Sequence, residues 1–243
     1  MTYEKTTELN PYRLTIKQHF HLKAVLKNFE REEGIKVTQI ADGAVSYHDA
    51  DDEIFLGLRS WSQEAEADIS HPIEERFFRG VERVVRKGLE IVNHEAISRY
   101  HLLWTLRHDY AKNPIQEQAI FPAGLGDSLP QDVEEWAESQ RKVPIRQGGM
   151  IAGRFIATKH LEQDLVHPDN TTPYQGIFWN VLHSDGKDLI SADCYGGSLL
   201  MVLSPRYALK GERQPQKISL LSAEEAEQLN EESARRAHVF TIG

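Results

Sequence analysis

Ile177-Phe178-Trp179-Asn180-Val181-Leu182, the turn pair Asp185-Gly186, Leu189-Ile190-Ser191 and Leu199-Leu200-Met201-Val202-Leu203 form a series of short apolar runs broken by turn residues. Runs of this length, bounded in this way, are the pattern of buried or half-buried strands. Upstream the period is helical. Pro72 stands at a first helical position, and Ile73, Phe77, Val81, Val84 and Val85 recur on one side before Gly88. Asn93 is placed to cap a second helix whose apolar face takes Ala96, Ile97, Tyr100, Leu103, Trp104 and Leu106. That pattern runs to residue 110, and Asn113-Pro114 ends it.

Nearer the N-terminus, Thr15 with Gln18 fits a capping box, and Ile16, Phe20 and Ala24, beside Leu22, Leu26 and Phe29, have helical spacing. The expectation is a helix over residues 16–31. Residues 36–40 and 45–47 flank Asp42-Gly43, a pair suited to the positive φ of a hairpin turn. Residues 111–130 are rich in proline and glycine and lack a period, which predicts a long loop or lid. Further helices are expected over 130–142, over 150–166, and from the capping box Ser222/Glu225 to residue 236, with a closing strand over 238–242. A central helical section flanked by strands from both ends of the chain makes the expected class α+β. No linker of disordered composition divides it, so residues 1–243 read as one domain.

Composition excludes several classes. The 243 residues carry 28 Lys+Arg against 37 Asp+Glu, a formal charge of −9, which argues against broad phosphate-backbone binding. Arg141, Lys142, Arg146 and Arg154 could still form a local basic patch. No apolar run is long enough to span a bilayer and the first residues lack an apolar signal region, so the chain reads as cytoplasmic with no membrane partner. A single cysteine, Cys194, excludes thiolate zinc clusters and an internal disulfide. No P-loop, G-x-S-x-G or G-x-G-x-x-G motif occurs.

Eleven histidines raise the question of a metal. His94, His101 and His108 recur on one helix face but lie about 10.5 Å apart at 1.5 Å per residue, too far to share an ion. His19 and His21 point away from each other on a helix. Arg154 and His160 fit the loose arginine-then-histidine spacing of some helical HEPN ribonucleases, although a solvated helix face explains the pair as well. His19 lies on an apolar face, either as a core histidine bonded to a carbonyl or as a general acid or base. Arg107 either offsets a helix C-terminal dipole or clamps an anion. Asp193 follows a strand, as a turn former or a catalytic carboxylate. Glu74 and Glu75 occupy a helix first turn, where the dipole favours them whatever the function. Trp61 and Trp179 read as core.

Gln18-His19-Phe20-His21-Leu22-Lys23-Ala24-Val25-Leu26-Lys27-Asn28-Phe29 resembles the opening of a bacterial and fungal group catalogued as domain of unknown function 4238. That group begins with a His-Tyr-Val-Pro pattern and then Leu-x-x-Phe. His19, Phe20, Leu26, Asn28 and Phe29 match, whereas His21 and Leu22 replace Val-Pro. Trp61 with Glu64, Glu74-Glu75 before a helix, and Arg107 resemble the family's middle section. Trp179-Asn180-Val181-Leu182 and Ile190-Ser191-Ala192-Asp193 resemble its tryptophan strand and Ser-Asp-x-Pro turn, here with Ala192 inserted and no proline. Leu203-Ser204-Pro205-Arg206, Leu229-Asn230 and Val239-Phe240 are similar to its closing segments. The resemblance implies one unit whose terminal zones meet. It groups His19, Arg107, Ser191 and Asp193 at a shared site and supplies no reaction.

The functional expectation is a hydrolase acting on a phosphodiester or nucleotide, a toxin or antiphage nuclease being one version. His19 would be general acid or base, Asp193 would orient it or hold a divalent metal, and Arg107 would hold an anionic group. Ser191, Arg206 and Asn230 are the expected binding residues. The alternative is a non-catalytic protein that engages a protein partner through residues 111–130 and exposed aromatics.

Overall fold

The computed structural model describes residues 3–215 and 218–243. It corrects the first expected helix. Lys17–His19 is a strand (β1), Lys23–Leu26 a single helical turn (α1), and Lys27–Phe29 a 3-10 turn. The residues that would have closed the capping box bond elsewhere. The Gln18 side-chain amide donates to Trp61 O at 2.8 Å and accepts from Trp61 N at 3.2 Å, and Thr15 N donates to Gln63 Oε1 at 2.7 Å. Tertiary partners thus outcompete a weak local helix signal.

The hairpin is present as β2 (Ile35–Gln39) and β3 (Val45–His48), with a five-residue connection over 40–44 in which only Gly43 takes positive φ, at 72°. The connection is longer than a two-residue turn because Asp42 caps it, accepting from Ala44 N at 2.9 Å. β4 (Leu56–Leu58) pairs antiparallel with β1. Gly57 lets it approach the end of the helix that spans residues 94–112: a Cβ there would lie 2.7 Å from Ser60 Oγ and 3.0 Å from Ala111 Cβ.

One π-helical stretch, Ala65–Ser70, leads into α2 (His71–Lys87), which buries Ile73, Phe77, Val81 and Val84 and ends at left-handed Gly88, as its pattern predicts. α3 (His94–Lys112) begins at Asn93, whose side chain accepts from Ala96 N at 3.0 Å. It is buried nearly all round, with Tyr100, Leu103, Trp104, Arg107 and His108 inside, and is the axis of the molecule. The segment over 111–130 is largely exposed, and β5 (Gln118–Ala119) is the strand within it. α4 (Gln131–Ser139) stops short of residue 142 because Arg141 turns left-handed, at φ 59°.

β6 (Met150–Ile151) pairs with β5, so α5 starts later than expected, at Gly153–Asp164. Gly153 sits against Ile115, whose carbonyl oxygen would be 1.7 Å from a Cβ. A short helix α6 (Pro168–Thr171) precedes β7 (Phe178–Ser184). β8 (Ser191–Ala192), β9 (Leu200–Ser204), β10 (Tyr207–Glu212), β11 (Ser219–Leu221), α7 (Ala223–Arg236) and β12 (Phe240–Ile242) complete the chain. The Ser222 capping box forms with both of its hydrogen bonds.

The class is α+β. Of the two four-stranded sheets, β11-β7-β10-β9 packs on α2 and α3 and β3-β2-β12-β8 meets it where β8 lies against β9; a large apolar core runs from Phe20 to Ile242, with a smaller cluster of Ile151, Ala152, Phe155 and Ile156 beside it. The terminal zones meet because β12 lies between β2 and β8, antiparallel to both. Phe240 locks this junction, 1% exposed, with its ring centroid 5.7 Å from that of Phe55. Phe240→Ala is expected to cost about 3–5 kcal/mol in urea unfolding, the range for a buried phenylalanine that leaves a cavity.

Candidate functional site

The three residues proposed for catalysis go to three separate networks. His19, on β1, directs Nε2 to Ala50 O at 2.9 Å and lies 3.6 Å from Asp51 Oδ1. Burial lowers its pKa, partly offset by the Ala50 bond and by Asp51, and the Arg107 charge adds a small further lowering. Arg107 and His19 therefore feel each other's charge without sharing a partner.

Asp193 is a structural hub. Its Oδ1 accepts from Cys194 N at 3.1 Å and His238 N at 2.8 Å, and its Oδ2 from His108 Nε2 at 2.9 Å and Val239 N at 3.1 Å. All four accepting positions of a carboxylate are thereby taken. The expected binding residues fasten a turn. Asn230 accepts from Ile190 N and donates to Asp188 O, both at 2.9 Å, while Arg206 donates to Ser184 O and Asp185 O at 3.3 and 2.6 Å. Ser191 is fully buried and donates to Ala192 O at 3.1 Å.

The expected basic patch is neutralised. Arg141 pairs with Asp68, Arg146 with Glu4, Glu117 and Glu134, and Arg154 with Glu4 and Glu138, while Lys142 lies over the Trp136 ring. Arg154 is buried and His160 exposed, so the two do not form a joint ribonuclease-like face. His94, His101 and His108 each meet a different partner: Trp179 N, Tyr174 Oη and Asp193. Among the described residues, no group of three or more His, Cys, Asp or Glu is placed to hold a metal ion. Burial pushes the Cys194 thiol up to about 11, which removes it as a thiolate nucleophile at neutral pH.

A different constellation assembles around Arg107. Its guanidinium is 2% exposed, lies 4.7 Å from the Trp61 ring centroid, and bridges two carboxylates, donating to Glu74 Oε1 at 2.5 Å and Glu66 Oε1 at 3.1 Å. Trp61 Nε1 donates to the same Glu66 oxygen. Glu66 comes from the π-helical stretch and Glu74 from the first turn of α2, so the irregular winding between them sets how both meet one side chain of α3. Burial raises the Glu74 pKa, Arg107 lowers it, and neighbouring Glu66 raises it again, with a net upward shift. The two carboxylates overcome the burial of Arg107 and hold its proton more tightly.

Beside this group, Tyr100 Oη accepts from Leu22 N at 2.7 Å and lies 2.7 Å from His21 Nδ1. The Tyr100 proton is held firmly by burial and by the Glu74 charge, and it has His21 Nδ1 to donate to. His21 is therefore the neutral Nε2–H tautomer, stacked on Trp104 at 4.1 Å between ring centroids. Its Nε2, like Arg107 Nε, is buried without a partner among the described residues. Glu66 and Tyr100 escaped sequence reasoning as site residues. Glu66 sits in a stretch with no regular period, and Tyr100 was absorbed into an apolar face.

Two measurements follow from these networks. Asp193→Ala strands three backbone N–H groups and His108, and is expected to cost at least about 3 kcal/mol in urea unfolding, with Asp193→Asn milder. Burial, reinforced by neighbouring positive charge, holds His21 at about 3, and burial holds His101 at about 4, both below the ordinary 6.5. Below pH 6.5 the unfolded chain takes up protons that these folded histidines refuse. Stability should therefore fall from pH 6.5 toward 4, by up to about 1.4 kcal/mol per pH unit for each histidine. Glu74 works in the opposite sense: its contribution is complete below 4.5 and lost as pH rises through its folded value. Urea midpoints from pH 7 to 4 check the slope, and His21→Phe should flatten it. Comparison of the chain with protein-family models, with curated proteins and with solved structures returns no match.

Proposed function

We propose that the chain is a hydrolase whose reacting groups are Glu74 and Glu66, held on Arg107. One observation carries the reading: two carboxylates share a single buried guanidinium, and the environment of Glu74 favours its protonated form. A carboxyl group whose surroundings favour its neutral form can serve as the acid beside a second carboxyl group that serves as the base. Glu74 is the proton donor to a leaving group. Glu66, fixed by Trp61 and Arg107, is the base that receives a proton from water. Both carboxyl groups keep access to solvent, at 18% and 16% side-chain exposure, which a substrate requires.

The resemblance to domain of unknown function 4238 supports the same place, since Trp61, Glu74 and Arg107 are among the residues that carry it. Arg107 is occupied by its own carboxylates, so its part is to position them and not to clamp an incoming anion. For the same reason, and because the basic residues near α4 and α5 are ion-paired, a neutral polar substrate is better supported than a phosphodiester, and a nuclease is the weaker version.

The test is turnover of p-nitrophenyl glycosides, p-nitrophenyl esters and bis(p-nitrophenyl) phosphate by wild type and Glu74→Gln. The expected result is hydrolysis of a neutral class, with kcat reduced about 10²–10⁴-fold in the variant, whose folded state is checked by its circular dichroism spectrum. No turnover of any class by wild type would overturn the reading. The second reading, a protein that engages a partner, draws on Ile120, Phe121 and Leu125, which are 55%, 42% and 47% exposed in the proline- and glycine-rich segment.

A further inference from the structure

Far from Arg107 in sequence, Arg59, Arg146 and Arg154 line a cleft of about 430 Å³ between β4, the end of α3 and the start of α5. Tyr3 and Glu4 of the chain itself form part of its wall, and residues 5–7 continue from there along α4. The Glu4 carboxylate is split between two guanidiniums, one oxygen on Arg146 and the other on Arg154, and Arg59 Nη1 donates to Glu4 O at 3.1 Å. Lys5 O accepts from Gln131 Nε2 at 2.5 Å. Thr7 donates twice to the buried Glu135 carboxylate, from N at 2.8 Å and from Oγ1 at 2.7 Å.

This is how a groove reads a peptide: an acidic side chain, two backbone carbonyls, then a backbone N–H and a hydroxyl three residues on. An inorganic anion would satisfy the first part alone. Three arginines hold the Glu4 carboxyl below the usual range in spite of its burial, so a negative charge is favoured at this point even among the α4 carboxylates.

Two features exceed what anchoring residues 4–7 requires. Arg59 is 6% exposed and lies at φ 47°, a backbone region non-glycine residues rarely take, and its buried Nε has no partner among the described residues. Strain and an unsatisfied donor concentrate at binding sites.

We infer that the seat of residues 4–7 at the rim of this cleft, made by Arg59, Arg146, Arg154, Gln131 and Glu135, is a docking groove for an acidic peptide of another protein, of the form Glu-x-x-Thr or Glu-x-x-Ser; residues 4–7 fill it in cis and the partner must displace them. A tethered competitor acts at an effective concentration in the millimolar range, about the reach of a short linker, so the wild-type groove is masked toward weak partners.

The test uses the full chain and a fluorescent peptide of residues 3–8, Tyr-Glu-Lys-Thr-Thr-Glu. The expected result is that Glu4→Ala/Thr7→Ala binds it at least tenfold more tightly than wild type. Adding Arg146→Gln, at a 24% exposed position, should weaken that binding at least tenfold. A peptide with alanine at its first glutamate and second threonine should not bind. Absence of binding to the folded double variant, or equal binding of the alanine peptide, overturns the inference. Should the double variant prove unstable, hydrogen exchange of the Thr7 amide in wild type decides it. Saturating peptide speeds that exchange if the segment is displaceable, and unchanged protection overturns the inference.

Discussion

The Asp193 carboxylate accepts hydrogen bonds from three parts of the chain at once: His108 on α3, Cys194 just beyond β8, and the His238-Val239 backbone that leads into β12. Its own carbonyl accepts from Trp104 Nε1, one turn earlier on α3. A buried carboxylate is tolerated only when its accepting positions are filled. The final strand must therefore arrive here, beside β8 and across from α3, and once it does the two ends of the chain are joined in one sheet. The positions of β2, β12 and the core aromatics Phe55 and Phe240 follow from that junction.

Buried arginine is handled in a related way at two places. Arg107 is balanced by Glu66 and Glu74 across α2 and α3, and Arg59 and Arg154 by Glu138 on α4. Each of these guanidiniums is hydrogen-bonded to a carboxyl group, which is what makes its burial affordable. The acidic excess of the composition acquires a structural meaning here, since part of it faces inward as partners for arginine. Among the described residues, an anion site open to solvent does not result from these pairs. One carboxylate pair with unequal surroundings and one groove already lined by its own glutamate do.

The residues nominated from the sequence meet partners that the sequence did not name. Arg107 is central, but as the bridge of a carboxylate pair. Asp193 is central, but as a backbone anchor with His108, a neighbour the helix repeat placed correctly on α3. His19 is half-buried against the Ala50 carbonyl, the plainer of its two readings. Glu74 had been explained by the helix dipole, and this remains true of its position while missing its contact with Arg107. Glu66 carried no signal because π-helical winding has no simple period in apolar residues.

What the sequence by itself determined lies within a few residues of its cause: the faces of α2 and α3, the Asn93 cap, the Ser222/Glu225 capping box, the turn at Gly43, and the apolar runs of β7 and β9. Such signals act through local geometry and survive in any tertiary setting that buries the same face. Only the tertiary structure decided that residues 17–19 are strand, that Glu66 and Glu74 meet on Arg107, and that Glu4 reaches Arg154. Those choices rest on bonds between residues 43, 41, 33 and 150 positions apart, respectively. Side chains of the same type compete for each buried partner, and the competition is settled by which of them the packed core leaves within about 3 Å.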